Sequence, residues 1–200
     1  MTIYFTADTH FGHANVIKYD KRPFKDVNEM DKQLIARWNT MVNHNDTIYH
    51  LGDWTLGDFT KFSNTFKETQ GKVYIIIGGH DWRWWSQVGT DLPKNKSGNR
   101  PQFFIPNVSM ASVTIQHSYL HTDKGYLPIV LNHYSMRSWD RSHYGSWHLY
   151  GHHHGRLPGY GKSMDVGVDA WDYYPVSLSQ VAEYMSKQHP AEKFSKVKGM

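Results

Sequence analysis

The sequence contains no cysteine. Disulfide scaffolds, thiolate metal sites and cysteine nucleophiles are thereby excluded. No apolar run approaches the roughly 18 residues of a membrane span, so no membrane partner is expected. The opening MTIYFTADTHFGH lacks the basic stretch and long apolar run of a secretory leader, which points to a cytoplasmic protein. Internal repeats, low-complexity segments and Pro/Ser-rich linkers are also missing. Charge of one sign is scarce: 22 Lys and Arg against 18 Asp and Glu leave a net charge of +4. With a pI of about 9.1, that favours anionic partners and leaves nucleic acid among them, although no clustered basic face is visible. Charged residues are 20% and hydrophobic residues 39% of the 200, a balance that excludes wholesale disorder. A chain of this length buries about 70% of its unfolded surface and needs no staples. One domain over residues 1–188, followed by a basic solvated tail at 189–200, is the simplest organisation; no obligate protein partner is evident.

Against these absences stand 14 histidines, and the element pattern decides what they mean. Thr2–Ala7 reads as a short buried strand, β-branched and aromatic. Asp26 and Glu29 form a D-x-x-E capping pattern. It opens a helix whose apolar face is Met30, Leu34, Ile35, Trp38, Met41 and Val42. Thr47–Leu51 reads as a second strand, Phe59–Thr69 as a helix ended by Gly71, and Val73–Ile77 as a strand buried on both faces. DWRWW, from Asp81, reads as a helix start, and LPKNKSGNRP as a loop. Val108–Gln116 and Tyr126–Leu131 read as strands around a turn at Asp123–Gly125. Trp147–Tyr150 and Met164–Val168 are further strands, and Ser177 with Gln180 caps a last helix carrying Leu178, Val181 and Met185. Strands and helices alternate early and strands dominate later, which argues an α/β protein with a mixed sheet system.

Five of these strands run into polar clusters: Asp8-Thr9-His10, Gly52-Asp53, Gly78-Gly79-His80-Asp81, Asn132-His133 and Gly151-His152-His153-His154. In α/β proteins sites lie just beyond the carboxyl ends of strands. An isolated histidine reads as packing or surface. Asp8, His10, Asp53, His133, His152 and His154 at one end of a sheet read as metal ligands. Asp8 and His10, like His152 and His154, are two residues apart, a spacing that puts both side chains on one face of extended chain. His153, between two candidates, is expected to face away. Carboxylate plus imidazole without thiolate suits manganese, iron, zinc or cobalt rather than calcium or magnesium.

The ordered blocks D-x-H, G-D, G-x-H-D, H and G-H-x-H, together with TADTHFGHANVIKYDKRPF, IYHLGDW, NHYSMRSW and VGVDAWDYYPVSL, make this chain resemble the calcineurin-like metallophosphoesterase superfamily, its small bacterial and phage members in particular. The resemblance spans nearly the whole chain and implies a four-layer α/β/β/α sandwich with two divalent metals at one edge, manganese first and iron, zinc, nickel or cobalt as the other candidates. It implies that Asp8, His10 and His154 hold one metal, that His133 and His152 hold the second, and that Asp53 bridges them. His80 is then the catalytic histidine beside the leaving group, and Asp81 orients local structure. The superfamily has G-N-H-D where this chain has GGHD; Gly79 removes an oxygen ligand, so the second site is expected to be the weaker.

The activity so implied is that of a metal-dependent phosphohydrolase, foremost a phosphodiesterase acting on a small or nucleotide phosphoester. The alternatives are a phosphomonoesterase, a protein phosphatase among them, and a metal-impaired binding module in which Gly79 has cost the activity. His13 and Arg137 are candidate phosphate-binding residues, with Arg22 a weaker one. Trp82, Trp84 and Trp85 read as packing rather than as a stacking wall for a base. Asp165, Asp169 and Trp171 read as structural, Asp169 close to the mouth of the site.

Overall fold

A computed structural model describes residues 1–104, 111–113, 121–122 and 125–192. The chain is a single-domain α/β fold whose described strands form a mixed five-stranded sheet, a mixed four-stranded sheet and a two-stranded hairpin. The first sheet has the order β11-β1-β2-β3-β4, from β1 (Ile3–Thr6), β2 (Thr47–His50), β3 (Lys72–Ile76), β4 (Gln102–Phe104) and β11 (Val176–Ser177). β1 to β4 run parallel and β11 lies antiparallel to β1. The second sheet has the order β10-β9-β8-β5, from β5 (Ala111–Val113), β8 (Ile129–Leu131), β9 (Trp147–Tyr150) and β10 (Ser163–Asp165). β8, β9 and β10 are parallel, and β5 pairs antiparallel with β8. The hairpin joins β6 (His121–Thr122) to β7 (Gly125–Tyr126).

Period-two alternation divides each strand between two cores. Tyr4, Ile48, Val73 and Ile75 face the helices α2 (Val27–Met41) and α3 (Phe59–Lys67), meeting Met30, Leu34, Trp38, Phe62 and Phe66. The short helices α1 (Ala14–Tyr19) and α4 (Trp82–Trp85) add Val16 and Trp84 to that cluster. Phe5, Leu51 and Ile76, on the opposite face, join Ile129, Leu131, Trp147, Leu149 and Met164 of the second sheet, with Val181 and Met185 of α5 (Leu178–Ser186). The outer face of the second sheet carries Val130, Trp139 and Ala191; among the described residues no α-helix joins that cluster.

The caps read from sequence are in place. Asp26 accepts from the Glu29 amide, and Ser177 with Gln180 forms a full capping box. Trp84 is buried flat against Phe62, with ring centroids 4.0 Å apart, while Trp82 is exposed. Several expectations need correction. Ser163–Asp165 ends the strand expected to reach Val168, because Val168–Ala170 coils into a 3-10 turn. β4, β11 and α1 carry too few periodic residues to have been read. Ala191, assigned to the solvated tail, is buried beside Val130 and Trp139. Of the expected strand Val108–Gln116, only 111–113 are described; Asp123 and Lys124 of the turn and residues 193–200 of the tail likewise lie outside the described residues. Among those described, no helix is long and apolar enough to cross a membrane.

Candidate metal centre

The loops after β1 and β2 lie side by side. Asp8 donates its amide to the Gly52 carbonyl, His10 to Asp53 and Phe11 to Trp54. The buried Asp81 carboxylate ties in the loop after β3, accepting from the amides of Asp53, Trp54 and Gly78 and from the Trp84 indole. The approach is so close that a Cβ on Gly78 would collide with the Asp53 carboxylate. From the second sheet, the His152 amide donates to both carboxylate oxygens of Asp8, at 2.9 and 3.1 Å, and Gly151 donates to the His133 carbonyl. Strand ends of both sheets thus meet at one edge.

Two groups of side chains converge there. Asp8, His10 and His154 bring ligand atoms within 4.8 Å of one another, and so do Asp53, His133 and His152. Each group could hold a metal ion. Five of these six residues adopt left-handed backbone: Asp8 (φ 57°), His10 (50°), Asp53 (58°), His152 (68°) and His154 (51°). Such a conformation costs an L-residue about 1 kcal/mol or more, and it concentrates at functional sites. It also corrects the alternation argument. The chain is not extended at 152–154, so His152 joins one group and His154 the other. His153 does not face away; it lines the cleft, with Nε2 3.3 Å from Ser135 Oγ.

The ring nitrogens show how the groups are poised. His10 is 2% exposed, and neither ring nitrogen has a hydrogen-bond partner among the described residues. Burial pushes its pKa well below the ordinary histidine value. His133 Nδ1 donates to the Leu51 carbonyl at 2.8 Å, which leaves Nε2 directed at Asp53 Oδ2, 3.4 Å away. His154 Nδ1 lies 2.7 Å from Asp169 Oδ2, so Nε2 is left to face the cluster. A neighbour that fixes one nitrogen and aims the other is the usual support of a ligating imidazole.

Burial alone would raise the Asp53 carboxyl. The hydrogen bond and charge of His133, the charge of His10 and the His80 amide outweigh it and hold Asp53 below the usual carboxylate range. His133 in turn is raised to about 9, against its own burial, by its contact with Asp53. Asp8, buried and close to Asp53 and Asp165, is pushed up to about 7 despite the opposing charges of His133 and His154. These buried carboxylates, with the His10 nitrogens that have no hydrogen-bond partner among the described residues, make a donor set that could hold a divalent cation.

The cleft at this edge has a volume of about 510 Å³ and includes His10, Asp53, His80, His152 and His154 in its walls. His80 is exposed across 46% of its side chain, with Nε2 3.9 Å from Asp53 Oδ2 and its amide on Asp53 Oδ1. His13 is also in the wall, its ring 6.1 Å from that of His80. Arg137 is exposed and does not line the cleft. Arg22 is no phosphate ligand: it is buried, clasps Asp169 with two nitrogens and donates to the carbonyls of Asp8 and Thr9. Asp169 thereby links the loop after β1 to His154, a pairing across 147 residues of chain for Arg22 that no local pattern announces. Sequence reasoning also missed Arg156, which lines the cleft and pairs with Asp20 at 3.0 Å.

No known family profile matches the chain. It is 25% identical over 210 residues to the Gene 66 protein of Mycobacterium phage L5, covering 94% of this chain and 96% of that one. Its fold is similar to the crystal structure of AQ665, a protein of unknown function from Aquifex aeolicus, with a TM-score of 0.62, 19% identity and coverage of 92% and 98%. It is 32% identical over 194 residues to MJ1445, an uncharacterized protein of Methanocaldococcus jannaschii, covering 92% of both chains. By that likeness, this chain belongs to the family of MJ1445.

Proposed function

We propose that the protein is a metal-dependent phosphohydrolase of the calcineurin-like metallophosphoesterase type, foremost a phosphodiesterase on a small or nucleotide phosphoester. The observation that carries the reading is His10, buried, with neither ring nitrogen hydrogen-bonded among the described residues and Nε2 3.5 Å from Asp53 Oδ2. Asp8, His10 and His154 would hold one divalent ion and His133 and His152 a second, with the Asp53 carboxylate shared between them, its Oδ2 3.5 Å from His10 Nε2 and 3.4 Å from His133 Nε2. Manganese is the first candidate. Two ions so held supply charge neutralisation at a phosphoryl group and a hydroxide nucleophile at neutral pH.

The chain's own residues do the rest. Asp53 stays ionised and fixes the separation of the two groups. His80, at the open side of the cleft, can hold a proton for the leaving oxygen; such transfer is typically worth 10²–10⁴-fold. His13, beside it, is placed to contact the phosphate. On this reading the two sheets are the inner layers of an α/β/β/α sandwich and α2 and α3 form one outer layer. The far face of the second sheet is covered among the described residues by Trp139 and Ala191 rather than by a helix.

The test is hydrolysis of bis-p-nitrophenyl phosphate and p-nitrophenyl phosphate after manganese reconstitution. Faster turnover of the diester is expected, abolished by chelation and by Asp53→Asn. Monoester turnover alone would favour a phosphomonoesterase, and turnover of neither would favour a binding module.

A further inference from the structure

The group Asp53, His133 and His152 offers three protein ligands, and three leave an ion open to further donors. Tyr134 follows directly on His133. Its amide is held by Asn132 Oδ1 at 2.7 Å, and its ring stands edge-on to both imidazoles of the group, 4.8 Å from His133 and 4.7 Å from His152. Its hydroxyl reaches the loop that grips Asp53: a Cβ placed on Gly79 would lie 3.1 Å from Tyr134 Oη. One side chain therefore spans the carriers of all three ligands.

Packing does not account for this position. Tyr134 is 47% exposed and belongs to none of the buried hydrophobic clusters. Backbone conformation does not account for Gly79 either, since it lies outside the left-handed region. What Gly79 provides is space, and what stands against that space is a phenol oxygen. We propose that Tyr134 Oη is the fourth protein donor of the second metal site, standing in for a side chain at position 79. This rests on the metal-dependent reading above. It replaces the expectation that Gly79 simply leaves the second site short of an oxygen.

The experiment is calorimetric titration of Mn²⁺ into the full chain, into Tyr134→Phe, and into Tyr134→Phe combined with Gly79→Asn. The unsubstituted chain should take up two ions. Tyr134→Phe keeps the ring and its contacts, so the tighter step should be unchanged while the weaker loses about 10-fold or more in affinity. Gly79→Asn in that background should restore it, because an amide oxygen enters the same space. As a signature that a structural role would not produce, the unsubstituted chain loaded with Fe³⁺ should absorb in the visible through phenolate-to-iron charge transfer, and Tyr134→Phe should lose the band. Two unchanged steps in Tyr134→Phe, or no visible band in the iron-loaded unsubstituted chain, would overturn the role of Tyr134 while leaving the metal centre standing. A chain that takes up no ion at all would overturn both.

Discussion

A histidine's neighbours decide whether it can ligate, and this chain contains the contrast. His148 and His50 are as buried as His10, yet their nitrogens are satisfied. His148 Nδ1 donates to the Val130 carbonyl and Nε2 accepts from the Met136 amide. His50 Nδ1 accepts from the Gly52 amide, so Nε2 carries the proton toward Thr9 Oγ1. Burial, the largest cause, lowers His148 to about 4 and His50 to about 3. For a histidine lowered on folding, its stabilisation is complete above the unfolded pKa of about 6.5 and is lost as pH falls from there toward the folded value. Asp8 and Asp81, raised by burial to about 7 and about 6, act with the opposite sign over much of the same window. Ring NMR therefore reads the histidines more directly than a denaturation curve. Both rings should remain neutral between pH 6 and 4.5; a His148 ring that titrates near pH 6 would contradict the tautomers assigned here.

Asp169 shows the same logic one step removed from the candidate ligands. It accepts from His154 and is itself held by two Arg22 nitrogens. Asp169→Asn keeps the shape but weakens the tie that fixes the imidazole. The affinity of the Asp8–His10–His154 group for Mn²⁺ should fall about 10- to 100-fold, with the Asp53–His133–His152 group far less affected. Equal losses at both sites, measured calorimetrically, would indicate a general disturbance instead.

At the scale of elements, the strands that carry the site were legible because each is a short apolar run halted by a polar cluster. Tyr4/Phe5 and Ile75/Ile76 send alternate residues to separate cores, as period-two patterning requires. The geometry beyond the strand ends was not legible. Left-handed backbone at Asp8, His10, His152 and His154 is only weakly signalled by an aspartate or a histidine, so the expectation of extended chain did not hold there, although His152 and His154 fall in the separate groups that the resemblance implies. Arg22 and Asp169 are likewise a non-local pair. The loop after β3 depends on one side chain, Asp81, which gathers four amides and an indole from β2's loop, its own loop and α4. Asp81→Asn would turn an amide N–H₂ toward these donors. Leaving one or two of them unsatisfied should cost about 2–3 kcal/mol in urea unfolding at pH 8. A cost below about 0.5 kcal/mol, the range of ordinary surface changes, would mean that the loop is held by something else.

At the scale of the molecule, the six candidate ligands come from both sheets. Asp8, His10 and Asp53 follow β1 and β2 of the five-stranded sheet; His133, His152 and His154 follow β8 and β9 of the four-stranded one. Each group draws on both, so an ion in either would cross-link the two sheets at the edge where carboxylates and imidazoles otherwise crowd one another. Binding to the folded chain alone stabilises it by about 2.7 kcal/mol when free ion is at 100 times Kd. For a domain of this size 1 kcal/mol moves Tm by about 2–4 °C. Saturating Mn²⁺ should therefore raise Tm by about 5–10 °C per filled site, and EDTA should return it. Asp53→Asn weakens the carboxylate that faces both groups and gives up its pairing with His133 and His10; its Tm without metal should fall below that of the unsubstituted chain, and its further shift on adding Mn²⁺ should fall below about 2 °C. A substituted protein that kept the full shift would place the ion away from Asp53, and an unsubstituted one with no shift would mean that these two groups do not join the sheets through a metal.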